Sequence, residues 1–258
     1  MNVGNRNKTL ADQKQFVVKS NDLIRKTRYS MTTQQQKIVL FAVSKIRPND
    51  PPGTTYTFTV EEISKACGLK YDDGGYYYKS VKEDIQELTR RIWVKMPDGK
   101  EKTVSWIGDA EIEPYNGTIT VKFHPAMEPF LFELRSDYTQ YRLENVLAFK
   151  GKYTIRLYEL LRSYMSQASI DAGREREVSF KLEELRSILD VQIYPKWCEF
   201  DRCVLRKAVK EINEYCDEIH VAYETYKTGR NISTVNFIIS VPRLLDTITA
   251  RQRKRERL

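Results

Sequence analysis

The sequence predicts an α+β fold of two tandem winged-helix domains, each a helix-turn-helix with a β-hairpin wing, related by internal pseudo-symmetry. The first observation behind this is a repeat. TYTFTVEEISKACGL (residues 55–69) is echoed by VSFKLEELRSILDV (178–191). Phe58 falls on Phe180, Val60 on Leu182, Glu61 and Glu62 on Glu183 and Glu184, Ile63 on Leu185, Cys67 on Leu189 and Leu69 on Val191. The second is that both copies begin with strand-like alternation and switch to helical spacing after a Thr or Lys. The third is that a longer amphipathic helix and then a hairpin follow each copy, so one structural unit occurs twice.

In chain order, residues 1–18 are polar and expected to be a flexible N-terminus. Ser20-Asn21 cap a short helix over DLIRKT, and Thr32-Thr33 introduce a helix with Ile38, Phe41, Ala42 and Ile46 at helical spacing. RPNDPPG is a loop. Within the first copy, 56–60 is a strand and 61–67 a helix. Gly68 stands where a left-handed cap carries no Cβ penalty. YDDGG is a turn. Residues 76–91 form the longer helix, with Val81, Ile85, Leu88 and Ile92 on one face. IWVKM and EKTVSWI flank a Pro-Asp-Gly turn, and a second hairpin turns at Asn116-Gly117.

Residues 136–151 are expected to link a first domain (19–135) to a second (152–245). A helix over 152–167 packs through Ile155, Leu157, Tyr158, Leu161 and Met165, and Ala172-Gly173 turns the chain. A strand (178–182), a short helix (183–189), a long helix (197–216) and a hairpin through KTGRN complete the second unit. Residues 246–258 form a basic C-terminal tail, in which 251–258 are expected to be disordered and solvated. Its last eight residues, RQRKRERL, hold five cations and one acid, and so carry half of the chain's net charge of +8.

That net charge favours a polyanionic partner, and its location decides which one. At 100° per residue, Trp197, Phe200, Val204, Ala208, Ile212 and Tyr215 fall in a stripe about 120° wide, the core face. Arg202, Arg206 and Lys210 lie opposite, with Lys207 beside them. Any surface helix carries charges. On the second helix of a helix-turn-helix, however, arginines can read guanine edges and lysines can neutralise phosphate. Lys227 and Arg230 occupy the wing tip, where backbone contact is expected. The first unit offers Lys79 and Lys82, but Glu83 stands among them and repels phosphate, so only auxiliary DNA contact or an interface role is expected there.

Other functions are disfavoured. GGYYYKS (74–80) resembles a phosphate loop, but Tyr78 stands where glycine must precede the lysine. His124 and His220 are isolated, and Cys67, Cys198, Cys203 and Cys216 contain no CxxC pair, so neither a metal nor another cofactor is expected. Asp109, Glu111 and Glu113 alternate with Ala110 and Ile112, as on the solvent face of a strand. No enzymatic activity is expected. No apolar run reaches the ~18–20 residues of a membrane span, and MNVGNRNKTLADQKQF lacks the apolar core of a signal peptide. The expected location is cytoplasmic.

Three segments carry a family resemblance. VVKSNDLIRKTRYSMTTQQQKIVLFAVSKI (17–46), YRLENVLAFKGKYTIRLYELLRSY (141–164) and FDRCVLRKAVKEINEYCD (200–217) resemble plasmid replication initiators of the iteron-binding, paired winged-helix type. The similarity covers about residues 17–241. It implies binding of double-stranded DNA at direct repeats (iterons) in a plasmid origin, and recruitment of host replication proteins such as initiator or helicase. It also implies base readout mainly by the second domain, and dimerisation through the first. A homodimer in equilibrium with monomer would then serve autoregulation and copy control. A winged-helix transcriptional repressor without an initiation role is the alternative. Two recognition helices in successive major grooves lie ~10 base pairs apart, so one chain would read about 20 base pairs.

Overall fold

The computed structural model describes residues 15–68, 76–96, 98–113 and 117–258. Strand β1 (Phe16–Ser20) leads directly into α1 (Asn21–Arg25), where the Ser20 side chain accepts from the Asp22 N–H. Helix α2 (Thr33–Val43) begins at a reciprocal capping box between Thr32 and Gln35. Strand β2 (Thr55–Thr59) runs into α3 (Val60–Cys67) through a second capping box, Thr59 with Glu62. Gly68 ends α3 at φ 68°, as its position in the sequence requires. Helix α4 (Tyr76–Thr89) follows, then β3 (Ile92–Lys95), β4 (Glu101–Val104), β5 (Ile107–Glu113) and β6 (Thr118–Phe123).

The second half opens with β7 (Tyr138–Arg142), α5 (Leu143–Ala148), α6 (Lys152–Arg162) and α7 (Gln167–Asp171). Then come β8 (Arg176–Lys181), α8 (Leu182–Ile188) and α9 (Trp197–Phe200). A π-helical turn (Asp201–Leu205) joins α9 to α10 (Arg206–Tyr215). Strands β9 (His220–Thr228) and β10 (Asn231–Ser240) and helix α11 (Leu244–Arg257) complete the chain.

The repeat holds in three dimensions. The sheets run β2-β6-β5 and β8-β10-β9, both antiparallel, so the strand of each copy pairs with the second strand of its hairpin. Phe58 and Phe180, Val60 and Leu182, Ile63 and Leu185, and Cys67 and Leu189 are buried at matched positions. Asp190 matches Gly68 and also has positive φ, at 54°. Behind it the Val191 N–H reaches back to the Arg186 carbonyl, the long bond of a Schellman cap. Leu69 and the YDDGG turn lie outside the described residues.

By topology the first wing is β5–β6, because β6 is the strand that pairs with β2. The β3–β4 hairpin is an insertion without a counterpart in the second half, where only four residues separate α10 from β9.

Four expectations need correction. Residues 16–18 were expected to be part of a flexible N-terminus, but they belong to β1, whose five residues pair with β7. Residues 136–151 are not a linker. They form β7 and α5, in which Leu143, Val146, Leu147 and Ala148 are buried, so the β1–β7 pair crosses the expected domain boundary. The helix over 152–167 stops at Arg162, and Ser166 caps the separate helix α7.

Nor is the basic tail disordered, although Arg251, Gln252, Arg253 and Arg255 stay exposed to solvent. It forms α11, whose inner face carries buried Ala250 and Lys254. The Lys254 ammonium donates to Asn145 (2.6 Å) and to Asp217 (2.9 Å). Arg251 pairs with the same Asp217 carboxylate at 2.8 Å, and Arg142 of β7 at 2.5 Å. Arg257 pairs with Glu211 at 3.0 Å and lies 4.0 Å over the Tyr215 ring. A helix this polar is held because its cations meet buried acceptors. Burial drives the Asp217 carboxyl upward, but Lys254, Arg251 and Arg142 outweigh it and hold it below the usual carboxylate range.

A second ionic group joins the two halves. Lys19 of β1 is buried against Glu159 of α6 at 2.7 Å, and the Tyr141 hydroxyl donates to the same carboxylate. Among the described residues no helix is long and apolar enough to cross a membrane.

Candidate nucleic-acid interface

The α9–α10 stretch is amphipathic as its sequence requires. Phe200, Val204, Ala208 and Ile212 are buried, while Arg202, Arg206, Lys207 and Lys210 are exposed on the outward side. The stretch is not one regular helix. A π-helical turn inserts a residue, and Val204 and Leu205 within it are both buried. Leu205 falls outside the apolar stripe of an ideal helix, and that was the one sign of the turn in the sequence.

The four cations are held differently. The Arg206 Nε donates to the Asp201 carboxylate at 2.6 Å, although its side chain is 72% exposed. Lys210 lies 3.7 Å from Glu214. Arg202 and Lys207 have no ion-pair partner among the described residues. Asp201 itself is buried, and the Tyr223 hydroxyl of β9 donates to its other oxygen. The Asp201 carboxylate beside Arg206 pushes the guanidinium's pKa up, so the side chain stays charged throughout the working range. Neither Asp201 nor Tyr223 was singled out from the sequence.

The wing is tied to α10. The Asn213 side chain accepts from the Val221 N–H and donates to its carbonyl, both at 2.8 Å, mimicking a strand partner for β9. Asn231 pairs with Thr228, so the loop is Gly229-Arg230 alone. Gly229 has φ 63°, which fits the two-residue turns that match strand twist. Lys227 and Arg230 are exposed at the tip.

In the first half, Val81, Ile85 and Leu88 turn α4 inward. Lys79 and Lys82 are exposed, as their spacing predicts. Lys79 faces Glu83 at 3.9 Å, and Arg90 pairs with Glu87 at 3.0 Å. Burial pushes the Asp84 carboxyl up, against a hydrogen bond from Gln35. This helix therefore mixes its cations with acids, and Lys82 alone of the two expected lysines has no ion-pair partner among the described residues.

Gly74 and Gly75 of the phosphate-loop lookalike lie outside the described residues. Asp109, Glu111 and Glu113 are exposed on β5, while Ala110 and Ile112 pack against the core. The His124 imidazole accepts from the Ala126 N–H. Among the described residues no group of three or more His, Cys, Asp or Glu is placed to hold a metal ion. Burial raises the Cys67 and Cys216 thiols to about 12, which makes them inert core residues.

The family model for the first winged helix of initiator replication proteins matches residues 16–162, and the model for the second matches 181–239. A replication initiation protein of Escherichia coli is 24% identical over 239 residues, covering 90% of this chain and 72% of its own length. An uncharacterized 27.6 kDa protein of Escherichia coli is 27% identical over 139 residues, 53% of this chain and 56% of its own. The crystal structure of Pi initiator protein in complex with iteron DNA matches with a TM-score of 0.72 at 20% identity. It covers 90% of this chain and 99% of that one.

Proposed function

The chain belongs to the initiator replication protein family, and on that premise we propose that it binds direct repeats at a plasmid origin as a sequence-specific initiator of replication. The observation that carries this reading is the outward row Arg202, Arg206, Lys207 and Lys210 on the α9–α10 stretch, followed by a wing whose tip bears Lys227 and Arg230. Arg206 is positioned for base edges, and the two unpaired cations, with the wing, for phosphates. Helix α4 adds weaker contacts through Lys79 and Lys82. The first winged helix also supplies the dimer contact, and a monomer–dimer balance then links initiation to repression of its own promoter. Host replication proteins act on the assembled origin complex in the cytoplasm. Every role assigned here is one of binding; none needs a catalytic group or cofactor.

Selection from a random duplex library at about 150 mM salt tests this, since nonspecific phosphate binding is weak there. The expected product is a non-palindromic motif of about 20 base pairs, found as tandem repeats. A palindrome at a promoter would instead indicate a repressor. No motif at all would reduce α10 to a nonspecific basic face.

A further inference from the structure

Asp201 is a buried acid placed beneath a face that must attract phosphate. Its charge opposes that attraction, so its position calls for an explanation. Residues five apart lie about 140° from each other around an α-helix, too far for their side chains to meet. The π-helical turn removes this obstacle: the Arg206 N–H bonds to the Asp201 carbonyl, an i→i+5 contact, and the two side chains come together. One carboxylate oxygen takes Arg206 Nε at 2.6 Å, and the other takes the Tyr223 hydroxyl from β9. The Asp201 side chain is 8% exposed and thus fixed, whereas that of Arg206 is 72% exposed. The Asp201 contact is made through Nε, and the guanidinium also meets the Tyr223 side chain, so it is held from two sides while it still faces an outside acceptor. Among the other outward cations of the α9–α10 stretch, Lys210 has only a longer contact with Glu214, and Arg202 and Lys207 have no ion-pair partner among the described residues.

We propose that Asp201 is a specificity-determining, positioning residue: it aims the Arg206 guanidinium at a base edge and, through Tyr223, sets that aim relative to the wing. The proposal rests on the DNA-binding reading above. A free arginine must lose side-chain entropy on ordering, about 0.5–1.5 kcal/mol, or roughly two- to twelvefold in affinity. An arginine already held has lost it before DNA arrives. The geometry favours guanine, whose O6 and N7 match two parallel donors.

The test compares wild type, Asp201→Asn, Tyr223→Phe, Arg206→Ala and the Asp201→Asn/Arg206→Ala double variant, each checked for a wild-type unfolding midpoint. Base preference is read position by position across the selected site, and binding to an unrelated duplex is measured in parallel. Arg206→Ala is expected to abolish preference at one position. Asp201→Asn should weaken preference at that same position about two- to tenfold, while binding to the unrelated duplex stays equal or tightens. Tyr223→Phe should do the same more weakly, and the double variant should match Arg206→Ala.

Equal loss across all positions and on the unrelated duplex would overturn the proposal, since a merely structural acid would produce it. So would an unchanged profile in Asp201→Asn alongside an altered one in Arg206→Ala. Should Asp201→Asn fail to fold, Tyr223→Phe decides by the same criteria. If wild type selects no motif, the DNA-binding reading itself fails, and this outcome is distinct from the others.

Discussion

Helix α4 sets Lys79, Lys82 and Arg90 among Glu83, Asp84 and Glu87, whereas the α9–α10 stretch turns Arg202, Arg206, Lys207 and Lys210 outward and keeps its buried acid beneath them. The two winged helices share strand order and matched buried residues, down to a positive φ at Gly68 and Asp190. They differ in how they are fastened. The first uses local devices: the capping boxes at Thr32 and Thr59 and the glycine cap at Gly68. The second has Lys181 and Lys196 at helix starts without side-chain caps, and relies on distant ion pairs around Asp217. One scaffold can thus be stabilised by short-range or long-range contacts, leaving its outer face free to diverge in charge.

The largest expected effect strikes the long-range fastening. Asp217→Ala removes the carboxylate shared by Arg142, Arg251 and Lys254, although Arg142 keeps Glu144 and Glu218 and Lys254 keeps Asn145 and Glu144, and should cost about 3 kcal/mol in urea unfolding, the lower end for a broken buried pair. The pH dependence has a definite sign. The folded pKa is depressed, so this contribution is complete above the ordinary carboxylate value and disappears as pH falls below it, through the folded value. Asp84 has the opposite shift. Asp84→Asn should therefore be neutral or mildly stabilising at pH 7, and an equal penalty for both substitutions would erase the contrast.

Next comes the outward basic face. Arg206→Ala should weaken binding to the selected site about 5- to 150-fold, with preference lost at one position. Lys82→Ala should reduce binding to every duplex alike and lower the salt slope by about one. If Lys82→Ala changed base preference, α4 would be a reader in its own right.

The local fastenings give smaller, opposite effects. Thr59→Ala should cost about 1 kcal/mol. Lys181→Thr, with Glu184 three residues on, would build the capping box that the second copy lacks and gain roughly 0.5–1 kcal/mol by thermal unfolding. The smallest effect is expected at Glu83→Gln, a rise of less than about fivefold in affinity for all duplexes.

Features with a short sequence period were legible. The buried pairs of the repeat, the apolar stripe through Phe200, Val204, Ala208 and Ile212, and the outward cations all follow from spacing alone. The wing at Gly229 was legible because its turn chemistry is local. What escaped depends on partners far along the chain. Strand β1 is unremarkable until β7 stands beside it, and RQRKRERL looks disordered until Asp217, Asn145 and Glu211 are brought to it. The π-helical turn escaped for a different reason: a single inserted residue barely alters an amphipathic pattern, and only Leu205 betrays it.

The Lys19–Glu159 pair spans 140 residues, and this separation becomes a delay when the chain is made. At about 5–20 residues per second, residue 159 is synthesised roughly 7–28 s after residue 19. The first wing, its helices and their capping boxes are complete well before then. The opening strand therefore waits for β7 and α6, and closing it marks the moment at which the second half has begun to fold.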